Sequence, residues 1–296
     1  MNNFYKNKNI LVTGGAGFIG SHLIEELVKY GASVKVLDNL STGNLENLSS
    51  IINKIEFING SITDFNSCLK AAENIDTIFH LAAYTSVPGS VQEPLKCHEI
   101  NIDGTVNLLE SARVNKVKNF VFSSSSAVYG NKNIACKEDL SCEPSSIYGL
   151  SKLIGELYCK QYFSLYNINT VILRYFNVHG PRQINSGPLA PVYSKFKELI
   201  KNNKPINIFG DGSQKRDFVP VDKVIQANLN AAFKADKVAG QIFNVASGKS
   251  ISIKELIEIL KQEFPNYNQE VKFEPARQGD IQHSLADCSK LKELFL

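Results

Sequence analysis

Tyr148 and Lys152 stand four residues apart in the segment Ser146 to Leu153, and they are the two side chains of this chain best suited to proton chemistry. If Ile147 to Tyr166 is a helix, as its apolar positions Ile147, Leu150, Ile154 and Leu157 predict, residues four apart share one face. The phenol and the ammonium then point into the same space. An ammonium beside a phenol favours the phenolate, so Tyr148 is expected to act as a base well below the free tyrosine pKa of about 10. Many ordinary helix surfaces carry two amphipathic side chains at this spacing. The reading therefore depends on the elements that position the pair.

Those elements alternate. Asn9 to Thr13, Ser33 to Leu37, Ile55 to Ile58, Asp76 to His80, Asn119 to Ser123 and Thr170 to Arg174 read as strands. The helical patterns Phe18 to Tyr30, Asp64 to Ala71, Leu95 to Val114 and Ile147 to Tyr166 lie between them. Such alternation predicts an α/β protein with a parallel sheet covered on both faces, and ligands in such sheets bind beyond the carboxyl ends of the strands. After about Asn177 the character changes to prolines, glycines and short mixed elements. The expected organisation is a nucleotide-binding domain over residues 1–176 and a smaller lobe over 177–296, with a soft boundary and segments that can interleave.

Composition narrows the ligand. The 296 residues carry a formal charge of only +3, with no basic block or stripe, which argues for a small molecule rather than nucleic acid. Six scattered cysteines lack Cys-x-x-Cys spacing and five histidines lack metal-ligand spacing, so neither a disulfide framework nor a metal site is expected. The polar start, Met1 to Asn9, runs straight into a strand, and no apolar stretch reaches membrane-spanning length. A soluble, cytoplasmic protein with free thiols is expected, with no membrane partner.

The first strand runs into Thr13-Gly14-Gly15-Ala16-Gly17-Phe18-Ile19-Gly20 and then helix. Glycines at 14, 17 and 20 permit a tight turn, bring backbone amides to a diphosphate and let the helix pack closely. Asp38 ends the next strand, about 20 residues on, where a carboxylate accepts hydrogen bonds from an adenosine ribose and repels a 2′-phosphate. NAD is thus expected over NADP. Asn39, Ser41, Thr42 and Gly43 follow as polar groups near the same ribose, and Leu81, Ala82 and Ala83 keep the end of the fourth strand small.

With the glycine turn, Asp38, His80 to Ala83, the serine run Ser123 to Ser126 and the Tyr148/Lys152 pair in this order, the chain resembles the extended short-chain dehydrogenase/reductase family. Within it the UDP-sugar 4-epimerases are most similar. The resemblance continues through Arg174 to Val178, Phe209 to Val219 and Ala276 to Asp280. It implies a Rossmann-type doubly wound sheet with a smaller C-terminal substrate lobe, a homodimer formed through the third and fourth helices, and a bound NAD. Tyr148 is implied as acid/base, Ser125 as its partner on the reacting hydroxyl, and Lys152 as the ribose ligand that lowers the tyrosine pKa. Implied cofactor contacts are Gly14, Gly17, Phe18, Ile19, Asp38, Asn39, Ser41, Gly43, Ser61, Ile62, Leu81, Ala82, Ala83 and Tyr175. Implied nucleotide-sugar contacts are Ser86, Ser125, Ser126, Asn177, Val192, Asp280 and Ser284, with Arg216 and Arg277 as diphosphate clamps, a role that suits the arginine fork.

Three departures from the family pattern carry meaning. Ser61 stands where relatives often place an aspartate against adenine. Ser126 and Ala127 replace the Asp-Glu that dehydratase relatives use for elimination, which disfavours dehydration. Ser284 stands where a large tyrosine is associated with excluding N-acetyl sugars, so acetylated UDP-hexoses are expected substrates. Uronate epimerisation, decarboxylation and a non-catalytic NAD sensor stay open as alternatives.

Overall fold

Strands buried along both faces cannot give a side to water, and four in this chain are buried almost end to end. They require cover on both sides, which is the condition met by a parallel sheet between helix layers. The computed structural model describes residues 2–187, 190–276 and 281–295. Its strands are β1 (Asn9–Thr13), β2 (Ser33–Asp38), β3 (Ile55–Asn59), β4 (Thr77–His80), β5 (Asn119–Ser125), β6 (Asn169–Tyr175), β7 (Asn177–His179), β8 (Ile206–Phe209), β9 (Lys215–Pro220), β10 (Ile242–Val245), β11 (Ser250–Ser252) and β12 (Val271–Glu274).

Seven strands form one sheet in the order β10-β6-β5-β4-β1-β2-β3, every pair parallel. The chain winds outward from β1 to β3, then crosses back to place β4 on the other flank of β1. This reversal leaves a crevice at the carboxyl ends of β1 and β4, where ligands of doubly wound sheets bind. Two apolar clusters, one around Ile10, Leu23, Val121 and Val171 and one around Leu11, Ile78, Leu109 and Phe122, cover the two faces.

Beyond β6 the chain does not leave the sheet for good. Helix Val221–Phe233 packs into the first cluster and β10 pairs with β6, so the two lobes interleave in sequence. The smaller lobe holds a three-stranded sheet, β11-β9-β7, and the pair β12-β8. Helices Val192–Lys201 and Ile253–Glu263 close it around its own core of Phe196, Ile200, Ile206, Ile208, Leu256 and Leu260.

One expectation about helices needs correction. Leu95 to Val114 is not one regular helix: Pro94–His98 and Gly104–Val114 are joined by a π-helical segment, Glu99–Asp103. Within it Asn101 turns inward and brackets Tyr84, accepting from its amide at 2.7 Å and donating to its carbonyl at 3.0 Å. Ile147–Tyr166 is a helix as expected, but Ile147, Leu150 and Leu157 are exposed. Its buried face is made of small and charged residues instead: Gly149, Ser151, Lys152, Gly155, Glu156 and Cys159. Gly155 explains the close approach, because a Cβ there would lie 2.5 Å from the Phe122 ring.

Candidate active site

The glycine turn is built for close backbone contact. Gly14 has φ +69°, and a Cβ on it would stand 2.7 Å from the Ala82 amide nitrogen, so the end of β1 rests directly on the end of β4. Helix Phe18–Lys29 begins at Gly17 with no side chain capping it, which leaves its first amides, at Phe18 and Ile19, without an intrahelical or side-chain acceptor. Uncapped amides over a close-packed turn fit a diphosphate.

Asp38 ends β2 with its carboxylate buried, one oxygen accepting from the Ala16 amide at 2.9 Å and the other from the Leu40 amide at 2.8 Å. Gly43 lies against that carboxylate and Ala16. Asn39 and Ser41 are exposed beside it, joined by a hydrogen bond from the Ser41 amide to Asn39 Oδ1. Ser61 bonds Thr63, and Ile62 is buried beneath Gly104. The amides of Leu81 and Ala82 are held by Thr13, and Ala83 is half-buried next to them. A turn of uncapped amides and an acidic residue at the end of the second strand fit the adenosine diphosphate half of a dinucleotide.

Ser125 closes β5, which paired strands on both sides hold in place, and its hydroxyl stands beside the Tyr148 phenol. Ser146 caps the helix that carries Tyr148, accepting from the Gly149 amide at 3.0 Å. One turn on, the Lys152 ammonium is buried and donates to the Ser123 carbonyl at 3.0 Å. Burial brings the Lys152 pKa down to about 8, against the opposing pull of Cys97, Cys159 and Glu156. The expected lowering of the tyrosine is not what the protein alone does: burial pushes the Tyr148 phenol up, with the neighbouring Ser125 hydroxyl acting against it. Tyr175 sits in the core, its hydroxyl joined to Ser123 at 3.0 Å and Asn228 at 2.9 Å.

The smaller lobe brings Asn177 and Ser284 together: Asn177 Nδ2 donates to the Asp217 carbonyl at 3.1 Å and lies 3.5 Å from Ser284 Oγ. Arg216, on β9, donates to the carbonyls of Lys215 and Ile281. Val192 starts its helix half-buried against the lobe's core. Ser86 caps a short helix through the Gly89 amide, and Ser126 opens the turn that follows Ser125. Arg277 and Asp280 lie outside the described residues.

Several residues that organise this site carry no local signal. Ser90 Oγ accepts the Tyr148 amide at 3.1 Å, and Ser151 Oγ donates to the Tyr148 carbonyl at 2.8 Å. Asp217, fully buried, accepts from the Ser247 amide and hydroxyl, the Gly248 amide and the Ala286 amide, so one carboxylate ties three segments beside Ser284. Glu156, four residues after Lys152, is a signal that places a second charged group on the same helix face.

Among the described residues no helix is long and apolar enough to cross a membrane, and no group of three or more metal-binding side chains comes together. The sheet order, the glycine turn and the acidic end of β2 define a Rossmann-type dinucleotide-binding protein. The profile of the NAD dependent epimerase/dehydratase family matches residues 10–246, and the chain belongs to that family, whose cofactor is NAD. A solved UDP-N-acetylglucosamine 4-epimerase from Methanobrevibacter ruminantium, in complex with UDP-N-acetylmuramic acid, is 42% identical, with a TM-score of 0.93 over 98% of this chain and 93% of that one. A UDP-glucose 4-epimerase of Mycolicibacterium smegmatis is 39% identical over 96% of this chain and 91% of its own length. A UDP-N-acetyl-alpha-D-glucosaminuronate decarboxylase of Bacillus cytotoxicus is 36% identical over 97% and 91%.

Proposed function

We propose that this chain is a UDP-hexose 4-epimerase that keeps NAD tightly bound and takes UDP-N-acetylglucosamine and UDP-N-acetylgalactosamine, as well as or instead of UDP-glucose and UDP-galactose. The observation that carries the reading is the Ser125 hydroxyl at the Tyr148 phenol, with Lys152 one turn further along the same helix. Bound NAD supplies a hydride acceptor that returns what it takes, so no net oxidation follows. Tyr148 removes the proton of the sugar 4-hydroxyl, and Ser125 orients that hydroxyl. The resulting 4-keto sugar turns over in the pocket, and Tyr148 gives the proton back. Lys152, when charged, favours the phenolate that burial alone disfavours.

The acetylated substrates are supported by the small Ser284 beside Asn177, which leaves room where a tyrosine would fill it. Arg216, Arg277, Asp280, Val192, Ser86 and Ser126 are assigned to the nucleotide sugar. The exposed apolar residues Leu95, Leu150, Leu157 and Leu165 support a homodimer through these helices, and the six free thiols suit a reducing cytoplasm. The similarity to a decarboxylase keeps uronate chemistry as the second reading. Incubating the purified protein with UDP-N-acetylglucosamine and with UDP-glucose, without added NAD, should invert C4 by NMR. Carbon dioxide release from a UDP-uronate without inversion would favour the second reading, and no turnover of any UDP-sugar would leave an NAD-binding sensor.

A further inference from the structure

The His80 ring lies fully buried at the end of β4, near the rings of Phe120 and Phe122, and both its nitrogens are engaged. Nδ1 is 2.8 Å from Thr13 Oγ1, and Nε2 is 3.0 Å from Thr105 Oγ1. The neighbouring bonds set the direction of each. Thr105 gives its own proton to the Asn101 carbonyl at 2.7 Å, so toward His80 it accepts, and Nε2 carries the ring proton. Nδ1 then accepts from the Thr13 hydroxyl, whose oxygen takes the Ala82 amide at 3.2 Å. A charged ring would leave the Thr13 proton without an acceptor, and burial together with the nearby Lys152 ammonium opposes that charge.

The two ends of this line reach the two halves of the site. At one end, Thr13 holds the Ala82 amide, and Ala82 with Leu81 is the floor on which Gly14 rests. At the other, Asn101 belongs to the π segment, and its amide donates at 2.9 Å to Ser151 Oγ, which donates to the Tyr148 carbonyl. A π turn is a costly geometry that persists only where its surroundings hold it, and it recurs at functional sites.

We propose that Thr13, His80 and Thr105 form a one-way hydrogen-bond line, locked in the Nε2–H tautomer, that ties the floor of the glycine turn to the π segment beneath Tyr148. His80 is then a positioning residue for the proton transfer; that consequence rests on the function proposed above, whereas the line itself does not.

Nitrogen-15 NMR of the whole protein, with and without saturating NAD, tests the line. His80 should show a protonated Nε2 and an unprotonated Nδ1 from about pH 5 to about pH 9, where free histidine titrates. An Nδ1–H tautomer, or titration in that window, overturns it. The catalytic role is tested with Thr13→Val and Thr105→Val, each expected to lower kcat for C4 inversion about tenfold while KM for the sugar changes less than about twofold. The double variant should also lose about tenfold, because the second change has no intact line left to break. Losses that multiply to about a hundredfold, or a change confined to KM, would overturn the role. If the wild type inverts no UDP-sugar, the role falls with the function, while the tautomer still decides the line.

Discussion

Glu156 and Arg174 pair through two parallel hydrogen bonds, Nε to Oε1 at 2.8 Å and Nη2 to Oε2 at 2.7 Å, with both side chains almost wholly buried. Ser124 donates to the same carboxylate at 2.5 Å, and the Tyr129 ring lies 4.6 Å from the guanidinium. The pair anchors the Tyr148 helix to β6, and Ser124 ties the same carboxylate to β5, between Ser123, which takes the Lys152 ammonium, and Ser125. A single loss strands the partner's charge in the core, so Glu156→Ala should destabilise the fold by about 3–5 kcal/mol in urea unfolding. Replacing both, as Glu156→Leu with Arg174→Met, should recover most of that, and no recovery would show that the uncompensated charge was not the cause.

Tyr148→Phe removes the proton acceptor but keeps the ring. Turnover should fall by about 10²–10⁴. NAD affinity, followed by calorimetry, should stay within about threefold, since the hydroxyl contributes one hydrogen bond at most. A variant with wild-type turnover would remove Tyr148 from the chemistry.

Gly14→Ala combines a positive φ with a Cβ forced against the Ala82 amide. Loss of measurable NAD binding is expected, with about 1–3 kcal/mol of stability lost as well. Gly31→Ala is the control, because Gly31 shares the positive φ but its Cβ would meet nothing closer than 3.7 Å. Its NAD affinity should match the wild type.

Ser284→Tyr fills the space beside Asn177. Turnover of UDP-N-acetylglucosamine should drop about tenfold or more relative to UDP-glucose, the range expected when a pocket loses room for a small substituent. An unchanged ratio of the two kcat/KM values would mean that other walls set the choice of sugar.

Acid should destabilise the protein partly through His80. Burial first, and Lys152 second, pull its pKa down to about 3, against about 6.5 when unfolded. The unfolded chain therefore binds the extra proton between these values. The stability contribution is complete above about pH 6.5 and is lost as pH falls toward 3, by up to about 1.4 kcal/mol per pH unit. In His80→Gln the slope of unfolding free energy against pH should shrink by one proton's worth below pH 6.5; an identical slope would show that the ring does not titrate on unfolding.

Much of the sheet was legible because its signals are local. Six strands announce themselves as short β-branched runs, and the glycine turn reads at once because tight turns and close backbone approach admit so few residue types. The apolar stripe of the Tyr148 helix predicted the helix but not the face it buries. Periodicity shows that a helix has two unlike faces, not which one meets the core, and here Gly149, Gly155 and Cys159 go inward while Leu150 and Leu157 stay out. The π segment was illegible as well: its Asn101 is held by Tyr84, 17 residues away in sequence.

The residues alone thus determined the parallel α/β frame, the dinucleotide turn and the Tyr148/Lys152 face, because each depends on neighbours within a turn or a strand. Only the tertiary structure decided the protonation landscape: the raised Tyr148, the lowered Lys152, the neutral His80 and the buried Glu156–Arg174 pair. The physical reason is that desolvation and charge pairing depend on what surrounds a group in space, and here those surroundings come from β4, β5, β6 and the π segment, which meet only once the chain has folded.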